Sequence, residues 1–329
     1  MLSIGIVGLP NVGKSTLFNV LTKKGVPAEN YPFCTIDPSV GIVPVPDDRL
    51  WKLSEFSKSA KTIPAVIEFV DIAGLVAGAS KGEGLGNKFL TNIREVDAIA
   101  HVVRTFEDNS VIHVANKISP LDDIGVINLE LVLSDFETVS KRIGNITKEL
   151  KKGDKDAIAE EIILKKLMKV FEEGKMATEA NLYDEEKFKI KSLNLLTLKP
   201  MLYVLNTSEA SENVEVGLPH IYSVKVDPVF EKGFDELIKK SYELLGLETY
   251  FTTGTDETRA WTIKIGSTAP VAGMAIHTDF RDKFIRAEVI NWQSLLEAGS
   301  YAEARAKGKV RTEGKDYIVR DGDVVEFKI

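Results

Sequence analysis

Cysteine is almost absent: Cys34 stands alone in 329 residues. No internal disulfide can form, which points to a reducing compartment. There are only four histidines, and neither they nor Cys34 fall at metal-ligand spacing, so a structural zinc site is excluded. No arrangement suited to acyl transfer is visible. Positive charge is not in excess either. Lys and Arg number 42 against 49 Asp and Glu, a net charge of −7. DNA is therefore not an expected partner, and any RNA contact must come from a local patch. No stretch approaches the ~20 apolar residues needed to span a bilayer. The N-terminus lacks a basic segment leading into an apolar run and cleavage site. The expected location is the cytoplasm, with no membrane partner.

Within that ordinary composition, one stretch stands out. Gly8-Leu9-Pro10-Asn11-Val12-Gly13-Lys14-Ser15-Thr16 fits G-x-x-x-x-G-K-[ST], the phosphate-binding loop of nucleotide hydrolases. A triphosphate carries more charge than one side chain can neutralise, so the backbone must wrap it and aim N–H groups inward. Gly8 and Gly13 make that possible. Lys14 can then reach the β- and γ-phosphates, and Ser15 can offer a hydroxyl to a bridging Mg²⁺. Leu2 to Val7 reads as a buried strand entering the loop. Thr16 to Thr22 reads as the first turns of a helix whose positive end faces the phosphates.

Downstream segments follow the order expected of a nucleotide switch. Residues 28–38, punctuated by Pro32 and Pro38, read as a loop. Its Thr35 either adds a second hydroxyl to the Mg²⁺ or is one more surface threonine. Strands are expected near Val40 to Val45 and Ala65 to Val70. The second leads into Asp71-Ile72-Ala73-Gly74, which in this position places a carboxylate near the metal and a glycine N–H near the γ-phosphate. Leu75 follows, where a water-orienting glutamine is common. Four glycines between Val76 and Gly86 predict a segment able to order around a γ-phosphate. Asp97 to Arg104 reads as a central strand, with His101 packed in it or at its edge. His113 lies in a loop-like region.

From Leu129 the pattern changes. Leu129, Val132, Phe136, Val139, Ile143, Ile146 and Leu150 line one helix face, Lys152-Gly153-Asp154 breaks it, and Ile163, Leu167 and Val170 resume the rhythm. These features predict an antiparallel helical hairpin over residues 129–198, inserted in a nucleotide-binding domain of residues 1–245. Lys148, Lys151, Lys152 and Lys155 cluster at its tip, first as a solvated helix end and second as a contact for RNA phosphates. A strand from Pro200 to Leu205, another over Ile221 to Lys225 and a helix from Phe234 to Leu245 complete an α/β domain with its ligand at the strands' C-terminal ends. Residues 246–329 read as a second module of short strands around one helical stretch, Trp292 to Ala306. Arg305, Lys307, Lys309, Arg311 and Lys315 form a basic stripe beyond it.

The base is chosen after Leu205. A guanine site normally ends this strand in N-K-x-D, whereas here Asn206-Thr207-Ser208-Glu209 lacks the lysine stem and displaces the carboxylate. Adenine's amino donor suits a backbone carbonyl near Thr207, which favours ATP. Ser223-Val224-Lys225 resembles a guanine-supporting element, which keeps GTP as the alternative.

Taken together, these motifs resemble the YchF subfamily of Obg-like, translation-factor-class ATPases. Arg259 to Ile263, Ile276 to Phe280, Phe284 to Ala287 and Gly314 to Asp323 resemble that subfamily's C-terminal TGS domain, a β-grasp module. The resemblance implies phosphate binding by Asn11, Val12, Gly13, Lys14, Ser15 and Thr16, with Asp71 and Gly74 beside them. It implies Mg²⁺ on Ser15 and Thr35, and adenine on Asn206 and Thr207. Leu75 matches the hydrophobic residue that replaces the glutamine, and His113 matches a catalytic histidine acting with Lys14. The resemblance further implies association with the ribosome, as a large subunit or whole, through the TGS domain and the helical arm. Asn11 corresponds to a position linked to K⁺ activation. One departure is a short span between Glu209 and the TGS domain.

Overall fold

The computed structural model describes residues 2–23, 37, 39–72, 85–106, 119–208, 216–218 and 222–329. In chain order the strands and α-helices begin with β1 (Ser3–Val7), α1 (Lys14–Lys23), β2 (Val40–Pro44), α2 (Asp48–Ser57), β3 (Lys61–Ile63), β4 (Val66–Asp71), α3 (Leu85–Glu95) and β5 (Ala98–Arg104). Next come α4 (Pro120–Asn145), α5 (Thr147–Lys151), α6 (Lys155–Glu172), α7 (Asp184–Lys189), β6 (Met201–Asn206), β7 (Ser223–Val226) and α8 (Phe234–Leu244). The remainder are β8 (Leu247–Thr253), β9 (Glu257–Lys264), α9 (Ala269–Gly273), α10 (Asp279–Asp282), β10 (Arg286–Asn291), α11 (Trp292–Ala298), α12 (Tyr301–Ala306), β11 (Arg311–Glu313) and β12 (Asp323–Lys328).

The chain packs as two compact units. One holds Ile42–Ile67 together with Ile238–Ile329, and the other holds most of the remaining described residues. The nucleotide-type sheet has the order β2-β4-β1-β5-β6-β7, and its pairs from β4 through β7 are all parallel. A central parallel strand is covered on both faces, so it must be apolar throughout. β5 meets that demand, with all seven residues buried. β1 contributes Ile4, Ile6 and Val7, each fully buried. This mainly parallel α/β arrangement is the architecture expected of a phosphate-loop nucleotide hydrolase.

The helical insertion is present, and its hydrophobic seam can be followed residue by residue. Val132, Val139 and Ile146 form a cluster with Ile163, Leu164, Leu167 and Phe171, and Phe136, Ile143 and Leu150 pack at its margin. Leu129, at 50% exposure, and the half-buried Val170 lie outside it. A helix drifts relative to a seven-residue repeat, and nearer its start α4 instead buries Ile124, Ile127 and Leu131. Gly153 takes φ +76° at the turn. Asp154 then starts α6 by accepting from the backbone N–H groups of Asp156 and Ala157. After α6 the chain continues irregularly through 3-10 helices at Ala177–Ala180, Lys191–Leu193 and Leu196–Leu198. The last of these is pinned by Asp135, whose buried carboxylate accepts from Leu196 N at 3.0 Å, Thr197 N at 2.8 Å and Thr197 Oγ1 at 2.6 Å. Burial raises the Asp135 pKa, while those donors and Arg94 pull it back.

In the second unit the sheet order is β11-β10-β12-β8-β9-β3, mixing antiparallel pairs with parallel β12–β8 and β3–β9. The single helical stretch expected over Trp292 to Ala306 is two helices. Gly299, at φ +80°, closes α11, and the Ser300 hydroxyl accepts from Glu303 N to begin α12. The basic stripe beyond it is largely paired: Arg305 with Glu288, Lys307 with Glu303, Lys309 with Glu297 and Arg311 with Glu313.

Candidate nucleotide-binding site

β1 delivers the chain to the loop at Val7, and the two motif glycines are required there for different reasons. A Cβ at Gly8 would lie 2.5 Å from the Val102 carbonyl oxygen of β5. Gly13 has φ +96°, and a Cβ on it would lie 2.2 Å from Asn206 Nδ2. The loop is thus pressed against the ends of two strands, and only glycine fits the approaches. Asn11 at the crown takes the left-handed conformation, φ 62°. α1 begins at Lys14 and has no acidic residue in its first turn. The positive end of its dipole is therefore not offset by its own side chains.

Lys14 is 7% exposed, and its ammonium donates to the Leu9 carbonyl at 2.8 Å. Burial lowers its pKa, and the nearby Asp71 carboxylate opposes that shift. Ser15 Oγ donates to Asp71 Oδ2 at 3.3 Å, joining the helix start to the end of β4. Ser15 and Thr16 are exposed at the mouth, while Val12 is buried. Ser15 and Asp71 thus meet where the Asp71 charge also acts on Lys14, a cation near a hydroxyl and a carboxylate. That donor set suits both a polyphosphate and a hard divalent cation, which prefers oxygen ligands.

β6 brings Asn206 and Thr207, the residues expected to meet the base, to the same end of the sheet. Asn206 Nδ2 donates to the Val12 carbonyl at 2.8 Å, and the residue is 3% exposed. Its Oδ1 is buried without a hydrogen-bond partner. Because the partner of Nδ2 is a carbonyl, the orientation of the amide is fixed and the remaining atom is an acceptor. Thr207 donates twice to the Val226 carbonyl, from its N–H at 2.8 Å and its hydroxyl at 3.0 Å. Ser223, Val224 and Lys225 pair with Tyr203, Val204 and Leu205 inside the sheet, so it is Val226 that faces Asn206 at the strand end.

Residues 3–135 match a family model described as 50S ribosome-binding GTPase. Residues 247–329 match the YchF GTPase C-terminal model, described as a protein of unknown function (DUF933). The chain is 50% identical to the ribosome-binding ATPase YchF of Bacillus subtilis (strain 168), with 99% of each covered. It is 48% identical to the protein of the same name in Escherichia coli O157:H7, with 98% of each covered. The chain belongs to the YchF family. A solved YchF structure from Schizosaccharomyces pombe, described as a GTPase, superposes with a TM-score of 0.85 at 35% identity, covering 99% of this chain and 97% of that one. The names of these YchF relatives divide between ATPase and GTPase, so the base preference of this member depends on its own residues.

Of the residues that the YchF resemblance singles out, Asn11, Val12, Gly13, Lys14, Ser15, Thr16, Asp71, Asn206 and Thr207 lie at this end of the sheet. Thr35, Gly74 and His113 lie outside the described residues, as do Leu75 and Glu209. His101 is fully packed in β5, as expected. Burial, reinforced by the Lys14 charge, depresses its pKa to about 3, and its Nδ1 has no partner. The sequence reading missed Thr105, whose N–H and hydroxyl both donate to the Asn206 carbonyl at 3.0 and 2.9 Å. A threonine directly after an apolar strand was the available signal. It also missed the loop after β7.

Proposed function

We propose that this YchF-family protein is a nucleotide-hydrolysing switch that takes ATP in preference to GTP and associates with the ribosome. What carries the base preference is the loss of the lysine and aspartate that follow the shared asparagine in N-K-x-D, here Thr207 and Glu209, beside an Asn206 Oδ1 that is buried without a partner. An acceptor in that place is matched by adenine's amino donor and mismatched by guanine's O6. Leaving it unpaired costs about 1–3 kcal/mol, a tenfold to hundredfold difference in affinity. The alternative, a GTPase of the same architecture, takes its support from the relatives described so. It loses support from Ser223 and Val224, which are buried in β7 against β6.

In this reading the loop N–H groups and the start of α1 hold the phosphates, and Lys14 leaves the Leu9 carbonyl for the β- and γ-oxygens. Ser15, with Thr35, would hold Mg²⁺, and Asp71 would act beside it. The ion would offset charge on the transferring phosphoryl group. His113 is assigned the positioning of water in place of a glutamine, and Asn11 is assigned a K⁺ ligand. Both assignments rest on the family resemblance.

We further assign the ribosome contact to the helical insertion and to the C-terminal unit, read as a TGS domain spanning 246–329; residues 1–245 are read as the nucleotide domain, of which residues 42–67 pack with the C-terminal unit. Lys148, Lys151, Lys152 and Lys155 are exposed at the tip, unlike the paired cations of the C-terminal stripe. Calorimetric titration of nucleotide-free protein with ATP and GTP tests the base preference, and equal or tighter GTP binding refutes it. Co-sedimentation with ribosomes, compared between wild type and a variant carrying Glu at the four tip lysines, tests the contact. Retention of full binding by that variant removes the arm tip from the interface. A scaffold role with incidental turnover would be marked by sedimentation that survives Lys14→Ala.

A further inference from the structure

The loop after β7 is built so that it withholds its backbone donors. Val226 faces Asn206 across the β6–β7 ladder, so residues 227–232 leave the sheet beside Asn206 and Thr207. Asp227 is 7% exposed. Its carboxylate oxygen Oδ1 accepts from Val229 N at 2.9 Å and Phe230 N at 3.1 Å. Its own N–H donates to the Lys232 carbonyl at 3.1 Å, and its carbonyl accepts from Lys232 N at 3.0 Å. Pro228 has no N–H to give. From residue 227 through 230, every backbone donor is consumed internally or missing.

The neighbouring groups have the same polarity. Asn206 presents an unpartnered buried acceptor, and the Val226 carbonyl is already an acceptor twice over. A purine whose position 6 faces this corner meets the Asn206 acceptor from β6 and no backbone donor from residues 227–230. Adenine carries a donor at that position and guanine an acceptor.

We propose that Asp227 is a specificity-determining residue, which excludes 6-oxopurines by tying up the N–H groups of Val229 and Phe230. The proposal rests on the reading that the base lies against Asn206 and Thr207. Selectivity in this account comes from a loop that is silenced as a donor, in addition to the missing lysine and aspartate of N-K-x-D. Val229 and Phe230 are 79% and 53% exposed, so burial of their side chains does not account for the way their backbone is held.

The test measures dissociation constants of the full-length protein for ATP, GTP and inosine triphosphate, in wild type, Asp227→Ala and Asp227→Asn. In the wild type, inosine and guanosine triphosphates should both bind roughly tenfold to hundredfold more weakly than ATP, because both carry a 6-oxo group. Asp227→Ala releases two donors and should narrow the ATP-to-GTP ratio by about tenfold or more. Asp227→Asn keeps an accepting oxygen and should restore the wild-type ratio. The inosine comparison needs no variant, so it stands even if Asp227→Ala fails to fold. Inosine triphosphate binding as tightly as ATP, or a folded Asp227→Ala with an unchanged ratio, overturns the proposal while leaving ATP binding intact. Wild-type preference for GTP would instead overturn the reading beneath it.

Discussion

Replacing Asn206 with alanine tests the bridge between base and phosphate sites most directly. The side chain does two things: Nδ2 holds the Val12 carbonyl at 2.8 Å, and Oδ1 is kept unpartnered in the buried corner. Its backbone is anchored separately, because the Asn206 carbonyl accepts from Thr105 N and Oγ1. Truncation should therefore leave β6 in place. It strands the buried Val12 acceptor at a cost of about 1–3 kcal/mol and loosens the loop that must wrap the phosphates. With ATP bound, the lost acceptor removes a second interaction of about 0.5–1.5 kcal/mol. The first cost falls on the free and the bound protein alike and is read as stability; the second, with the loosened loop, should weaken the ATP dissociation constant by about tenfold. Calorimetry reads the affinity, and urea melting reads the stability of the nucleotide-free protein. Asn206→Asp should be at least as damaging, since a carboxylate cannot donate to the Val12 carbonyl and would face it across the same short gap. An Asn206→Ala protein binding ATP within threefold of wild type would refute the bridging role.

Gly13→Ala should abolish nucleotide binding in a folded protein, since its Cβ collides with the same amide and its φ of +96° disfavours alanine; measurable ATP binding in equilibrium dialysis would contradict this. His101 should make stability pH-dependent. Its folded pKa is depressed to about 3, so the unfolded chain binds the extra proton below about 6.5. Stability is therefore intact above that value and falls by up to about 1.4 kcal/mol per pH unit as pH drops toward 3. Urea midpoints of wild type and His101→Leu should converge or cross as pH falls from 7 to 4, and parallel curves would refute the assignment. Asp135→Ala leaves three buried donors without their acceptor and should cost about 2–4 kcal/mol, read by chemical denaturation; a loss below about 0.5 kcal/mol would show that the hub is dispensable.

The phosphate loop was legible because its chemistry forces a contiguous pattern: glycines at two close approaches, then lysine and a hydroxyl at a helix start. Asp71 and Asn206 were legible for a related reason, as each ends a parallel strand beside the loop. The helical insertion was readable from its seam, although Leu129 escaped because α4 turns a different face inward near its start. Asp227 was invisible to sequence reasoning. Its role arises from the β6–β7 register and from two backbone bonds that no residue pattern encodes. The expected strands near residues 40 and 65 are present, but α2 and β3 between them were not anticipated. Nothing local to residues 42–67 announces that their packing partners lie near the other end of the chain. The continuous helix expected after Asn291 failed at Gly299, where a left-handed residue closes one helix and a serine opens the next.

The pairing of β3 with β9, and the Ser59 hydroxyl that donates to the Gly254 carbonyl, join residues 195 or 196 positions apart. A ribosome adding about 5–20 residues per second would make Ser59 wait roughly 10–40 s for that partner. During this interval Leu50 and Leu53, almost fully buried in the finished molecule, have no such cover. A fragment starting at residue 246 would likewise lack an edge strand and the helix packed beside it. Vectorial synthesis therefore imposes a period of exposure on this early segment, and circular permutation that brings it next to β9 in sequence should shorten that period.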